Sequence, residues 1–292
     1  MIERFDVAAG PFTFTGRAAG PVGGRPVFLL HGFPQTSAEW RHQLVALGDA
    51  GHRAVAFDQR GYSPGARPDE VGAYAVEHLA GDVVAVADAL GVGRFDVVGH
   101  DWGAVVAWAV ATLYPDRVTT LAAVSVPHPL ALAAALRDDP DQRQRSAYLA
   151  VFRRPGLAEE ALLDNEAAGL RGLFASTGMP EAAITDGAVD EYVAVLTQPG
   201  ALTAALNWYR AAPPDVAEAA AAAAAPVAAP TLYVWSDADV AIGRAAADGC
   251  AAHVAGPYRF AVLPGISHWV PEHAPDALNE LLVAHLAPFP SA

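Results

Sequence analysis

The chain has 292 residues, of which 53% are hydrophobic and 17% charged, with a formal net charge of −14 at pH 7. That length and composition fit one large α/β domain carrying an insertion, or two domains, and they exclude a disordered chain. The acidic balance and the lack of any polybasic run exclude nucleic acid or an anionic membrane as partner, and the single cysteine, Cys250, excludes an internal disulfide.

The N-terminal Met1-Ile2-Glu3-Arg4-Phe5-Asp6 lacks the basic and apolar regions of a signal peptide. The most apolar windows, 121–136 and 219–229, are broken by proline or too short to span a bilayer. A cytoplasmic protein without membrane association is expected, and Cys250 fits a reducing compartment.

Residues 5–15 alternate loosely and predict one or two short strands, followed by a Gly/Pro turn region over 16–25. Pro26-Val27-Phe28-Leu29-Leu30 is an unbroken apolar run, as in a strand buried on both faces. Ser37 can cap a helix reaching about Ala50, and Arg53-Ala54-Val55-Ala56-Phe57 is the next buried strand. Leu79, Val83, Val86 and Leu90 carry helical spacing over 74–90, ended by Gly91. Arg94-Phe95-Asp96-Val97-Val98 reads as a strand, 104–111 as an apolar helix, and 119–126 as another strand. This alternation predicts a mostly parallel sheet covered by helices on both sides.

The rhythm changes at Pro127-His128-Pro129, after which 128–229 is helical, punctuated by prolines, with no strand-length β-branched run. Strand and helix then alternate again: 231–235, 243–254, 258–263 and 276–286. The expected organisation is an α/β core in two parts, 1–127 and 230–292, with a helical cap over 128–229. The alanine tract 217–229 is expected to end a helix and hinge back to the sheet.

Between a strand and a helix stands Val98-Gly99-His100-Asp101-Trp102-Gly103. It has the small-x-nucleophile-x-small form of a sharp turn that pushes its central side chain out of the backbone. A serine there suggests acyl chemistry. A carboxylate attacks an alkyl carbon and leaves an ester that water must cleave, which points to epoxides or haloalkanes. The competing role for Asp101 is an ordinary helix N-cap.

The loop Gly265-Ile266-Ser267-His268-Trp269 follows the last strand, so His268 can reach the sheet edge where open α/β sheets place ligands. It would activate the water that attacks the Asp101 ester. Trp235-Ser236-Asp237-Ala238-Asp239 offers two acids after the preceding strand. Asp239, farther out on the loop, suits the partner of His268, and Asp237 suits a turn cap. The order nucleophile, acid, histidine is that of a hydrolase triad. His31-Gly32-Phe33-Pro34 follows the strand at 26–30, so the N–H groups of Phe33 and Trp102 are candidates for an oxyanion hole.

His31-Gly32-Phe33-Pro34-Gln35, Asp58-Gln59-Arg60-Gly61-Tyr62-Ser63, Gly99-His100-Asp101-Trp102-Gly103 and Ser267-His268-Trp269 together resemble the α/β-hydrolase superfamily, and within it the epoxide hydrolases. The resemblance covers roughly 24–127 and 230–287. It implies an α/β-hydrolase fold with a helical cap and two cap tyrosines that hold the epoxide oxygen. Leu206-Asn207-Trp208-Tyr209-Arg210 resembles the segment carrying one, pointing to Tyr209. Tyr148-Leu149-Ala150-Val151-Phe152 resembles the other more loosely, pointing to Tyr148, with Tyr192 its nearest competitor.

Phenols suit the task because an alkoxide leaving group needs donors where its charge develops. Phe33, Trp102, Phe152, Trp208 and Trp269 are expected to line an apolar pocket. No His-Glu-x-x-His helix or dinucleotide fingerprint occurs, so no metal or other cofactor is expected. The implied activity is conversion of a small apolar epoxide to a vicinal diol through an aspartyl ester. The alternative is a haloalkane or haloacid dehalogenase with the same triad, and a non-catalytic ligand receptor is a third reading. Monomer and homodimer are both compatible with the sequence.

Overall fold

The computed structural model describes residues 1–212 and 225–287. Glu3–Ala9 (β1) pairs antiparallel with Phe12–Ala19 (β2), and β2 pairs antiparallel with His52–Phe57 (β4). Arg25–Leu30 (β3), β4, Phe95–His100 (β5), Val118–Val124 (β6), Thr231–Ser236 (β7) and Tyr258–Leu263 (β8) run parallel. The sheet order is β1-β2-β4-β3-β5-β6-β7-β8, which puts β3 and β5 at its centre.

Alternation along these central strands builds two apolar layers. Phe28, Leu30, Phe95 and Val97 pack with Leu79, Val83 and Val86 of Val76–Ala89 (α2) and Val106 and Val110 of Trp102–Leu113 (α3). Val27, Leu29 and Val98 pack on the other side with Leu44 and Leu47 of Arg41–Asp49 (α1) and Leu278, Leu282 and Leu286 of the helix Pro275–Leu286. Both faces of these strands are covered, which is why Pro26 to Leu30 of β3 read as an unbroken apolar run.

Two local expectations are corrected. The turn predicted over 16–25 begins later, because Gly16 to Ala19 belong to β2. A Cβ on Gly16 would lie 2.4 Å from Phe5 Cζ and 2.8 Å from Ala56 O, so that glycine serves close strand approach. The helix predicted over 243–254 is an α-helix only over Arg244–Asp248. It tightens to a 3₁₀ segment, Gly249–His253, where Gly249 meets Ala131.

Between β6 and β7 the described residues form helices and no strand. They are Pro129–Asp138 (α4), Pro140–Arg145 (α5), Leu149–Phe152 (α6), Leu157–Ser176 (α7), Glu181–Thr185 (α8), Ala188–Leu196 (α9) and Ala201–Ala211 (α10). Pro129 and Pro140 open their helices, where a missing N–H removes no bond. Of the alanine tract, 217–224 lies outside the described residues, and Val227 bridges to Val254.

Candidate active site

β5 delivers the chain into Asp101, whose φ of 51° and ψ of −122° are strained for a residue with a side chain. The turn closes only because its neighbours are bare. A Cβ on Gly99 would lie 2.1 Å from Gly103 O, and one on Gly103 would lie 1.9 Å from Leu30 O. Both obstacles are backbone and cannot swing aside. Gly103→Ala is therefore expected to destabilise the fold by about 3 kcal/mol, as overpacking of a rigid site does. An unchanged urea midpoint would show instead that the turn relaxes freely.

Asp101 makes no side-chain cap bond to α3. Its Oδ1 accepts the Phe33 N–H at 2.9 Å, and its Oδ2 lies 3.4 Å from His268 Nε2. The carboxylate thus faces away from the helix it precedes, which overturns the N-cap reading. Gly32 makes room for it: a Cβ there would lie 2.4 Å from that of Asp101.

The loop after β8 brings in His268, and the loop after β7 brings in Asp239. His268 Nδ1 lies 3.1 Å from Asp239 Oδ1 and 3.0 Å from Oδ2. Asp239 Oδ1 also accepts the N–H groups of Ala241 at 2.7 Å and Ile242 at 3.1 Å. Asp237 instead accepts the Gly265 N–H at 2.6 Å, closing the turn that leads to His268.

Burial by itself lowers the His268 pKa, but the Asp239 and Asp101 carboxylates overcome it and hold the group up at about 10. For Asp101, burial raises the pKa while its hydrogen bond and charge contact with His268 lower it further, for a net decrease. Asp239 follows the same balance of burial against His268. The resting site is an imidazolium between two carboxylates.

A further member, Ser125, was not singled out in the sequence. At the end of β6, with φ 69°, it donates to Asp239 Oδ2 at 2.7 Å and lies 3.0 Å from His268 Nδ1. The only signal was a small polar residue directly after an apolar strand. Ser125→Ala removes a donor from a buried carboxylate, and about a tenfold loss of kcat is expected. The kcat pH profile should shift with it; an unshifted profile at normal rate would leave Ser125 without a positioning role.

Phe33 is held by the loop behind it. The Gln59 N–H donates to His31 Nε2 at 3.0 Å, so Nδ1 carries the proton that meets Gly32 O at 3.0 Å. Gln59 Nε2 donates to His31 O at 2.6 Å, and the Phe33–Pro34 peptide is cis. His31 and the Asp58 to Ser63 segment thus brace the loop whose N–H reaches Asp101. Trp102 is the first residue of α3. His100 supports the opposite side, with Nε2 2.9 Å from His268 O and Nδ1 3.6 Å from buried Glu39.

A cavity of about 220 Å³ opens over Asp101, with Tyr148 of the α6 entry and Tyr209 of α10 in its wall. The Tyr209 ring is packed edge-on by Phe33, Phe152 and Trp102, with centroids 5.5, 5.2 and 5.0 Å away. Desolvation, then the Asp101 charge, raise the pKa of both phenols, the Tyr148 hydroxyl included although that residue as a whole is 38% exposed, so both stay protonated donors. Tyr192 is not in this wall: its hydroxyl donates to Glu272 at 2.6 Å.

Of the five residues expected to line the pocket, Trp102 does. Phe33, Phe152 and Trp208 instead form the aromatic layer behind Tyr209 and Trp102, and Trp269 packs between His268 and Phe174. The walls are largely aliphatic, because α3 and α4 turn their small and branched side chains toward the cavity.

The α/β hydrolase fold family matches residues 25–275, and the chain belongs to it. It is 33% identical to epoxide hydrolase A of Mycobacterium tuberculosis, across 92% of each chain. The structure of epoxide hydrolase A from Mycobacterium thermoresistibile superposes with a TM-score of 0.84 at 31% identity, covering 98% of both chains. Potato epoxide hydrolase I superposes at 0.82 with 27% identity, covering 99% of this chain and all of that one. Among the described residues, no helix is long and apolar enough to cross a membrane.

Proposed function

We propose that this protein is an epoxide hydrolase that opens a small apolar epoxide to a vicinal diol through an ester of Asp101. The observation that carries the reading is a strained-turn carboxylate, touching an imidazolium, at the floor of a cavity whose wall holds two protonated tyrosines. The names of its relatives support the same chemistry.

In this reading an Asp101 oxygen attacks an epoxide carbon and the C–O bond to that carbon breaks. Tyr148 and Tyr209 donate to the ring oxygen as it becomes an alkoxide, and one transfers its proton. Forming the ester removes the Asp101 charge, which is one of the two that hold His268 protonated. His268 gives up its proton, which restores the phenol spent in ring opening, and with Asp239 still behind it then takes a proton from water. The hydroxide attacks the ester carbonyl, whose oxyanion meets the N–H groups of Phe33 and Trp102. Collapse expels the ester oxygen, which takes the proton left on the Asp101 carboxyl group, so the diol leaves with the Asp101 carboxylate restored and His268 again protonated.

We read α4 to α10 as a cap inserted within a core of 1–127 and 230–292. Its part in the reaction is to supply both phenols and exclude bulk water.

The test is diol formation from styrene oxide, followed by single turnover in heavy-oxygen water. The label should enter the Asp101 carboxylate first and reach diol only on the next cycle. Label in diol from the first turnover would overturn the covalent route. Halide release from bromoalkanes without diol from any epoxide would favour the dehalogenase.

A further inference from the structure

Two phenols that serve one oxygen must keep one separation, and here they come from different segments. Tyr148 enters α6, a single turn of four residues with no stability of its own. Tyr209 stands near the end of α10, about sixty residues along the chain. Phe152 packs edge-on between them, with both phenol rings at 5.2 Å from its centroid.

Beyond that contact, two arginines tie the segments together in opposite directions. Arg153, the residue after α6, donates from Nε to the Tyr209 carbonyl at 3.2 Å. Arg210, the residue after Tyr209, donates from Nη2 to the Arg154 carbonyl at 3.4 Å. Each phenol-bearing segment thus sends a guanidinium to the backbone of the other.

The second arginine is itself held. Arg210 Nη2 lies 2.9 Å from both Oε1 and Oε2 of Glu159, and its Nη1 donates to Asn207 Oδ1 at 3.1 Å. Glu159, in the first turn of α7, also accepts the Gly156 N–H at 3.0 Å and the Thr203 hydroxyl at 3.1 Å. Thr203 and Arg210 share a face of α10 about two turns apart, so one carboxylate grips that helix near both ends. The Arg210 and Glu159 side chains are 6% and 15% exposed, which leaves the pair little screened by solvent.

Resting on the epoxide hydrolase reading, we propose that Arg210 and Glu159 are positioning residues for ring opening. Their pairing fixes the separation of the Tyr148 and Tyr209 phenols, so that both donate to one oxygen. Neither residue lines the cavity, and neither touches the reacting groups. Ester hydrolysis uses Asp101, His268, Asp239 and two backbone N–H groups of the core, so it does not need the clamp.

The experiment is single turnover of styrene oxide with protein in excess. Alkylated protein is followed by intact mass and diol in parallel, which reads ester formation and ester hydrolysis separately. Glu159→Gln should form the ester about tenfold more slowly, as a small misplacement of reacting groups does, and should hydrolyse it at the wild-type rate. In a Tyr148→Phe background the same substitution should cost only about twofold, because a single phenol has no separation to keep. Arg210→Lys keeps the charge but loses the planar fork, so its loss should fall in between. It carries the comparison if Glu159→Gln unfolds early in urea. Asp190→Asn, which breaks an exposed cap ion pair with Arg171, should leave both rates unchanged.

Ester formation at the wild-type rate in Glu159→Gln and Arg210→Lys overturns the clamp. So does an equal loss with and without the Tyr148 hydroxyl, or an equal slowing of both steps, since either means a loosened cap and nothing more. These outcomes leave diol formation by the wild type standing. A wild type that gives neither ester nor diol overturns the epoxide hydrolase reading itself, and the clamp's role in ring opening with it.

Discussion

His268→Gln is expected to lower kcat by about a thousandfold and to accumulate one alkyl group per protein, seen by intact mass after mixing with an epoxide. Ring opening uses Asp101 and the tyrosines and can still occur, whereas ester hydrolysis loses its base, a loss in the usual range for general-base removal. The variant must also be examined for stability. Asp101 and Asp239 are both buried, and His268 is the positive charge between them. Removing one member of a buried charge pair costs about 3 kcal/mol or more. Because the folded His268 pKa is raised to about 10, its stabilisation is fully present below the ordinary histidine pKa near 6.5 and fades as pH rises through about 10. Wild-type protein should therefore lose stability in that alkaline window, and the variant should not show that component. A folded His268→Gln that turns over normally, without an adduct, would remove His268 from the mechanism.

Tyr209→Phe is expected to reduce kcat/KM for epoxide opening by about a hundredfold or more, the loss typical of removing a donor from a developing oxyanion. The substitution keeps the ring packed between Phe33, Phe152 and Trp102, so the fold should be unaffected. Tyr148→Phe should act in the same direction. The double variant should lose less than the product of the two, because the phenols serve one oxygen. The control is displacement from a bromoalkane, where a halide leaves without needing a phenol proton. Equal losses on both substrates would mean that Tyr209 only shapes the cavity. Full epoxide activity in Tyr209→Phe would return the ring-opening role to an unassigned donor. Tyr192 is a poor one, since its hydroxyl is already given to Glu272.

The sheet was legible because its strands are buried on both faces and so leave unbroken apolar runs such as Pro26 to Leu30. The elbow was legible because its glycines are demanded by backbone contacts that admit no side chain. Gly16 misled for a related reason: a glycine signals either a turn or a close approach, and only the neighbouring strands distinguish them. Ser125 carried no such mark. It matters through Asp239, which is distant in sequence, and a serine after a strand has many ordinary uses.

What the sequence by itself determined is the order of chemical groups: a carboxylate in a glycine-flanked turn, an acid and a histidine after later strands, and tyrosines in a helical insertion. Those follow from local backbone sterics and from burial, which leave patterns in consecutive residues. What only the tertiary structure decided is how the groups meet. It turned Asp101 away from the helix it precedes and chose Asp239 over Asp237. It gave Tyr192 to Glu272, and set Phe33, Phe152 and Trp208 behind the cavity wall and not in it. Each of those depends on contacts between segments tens to hundreds of residues apart, where packing and charge set the outcome and local spacing carries no record of it.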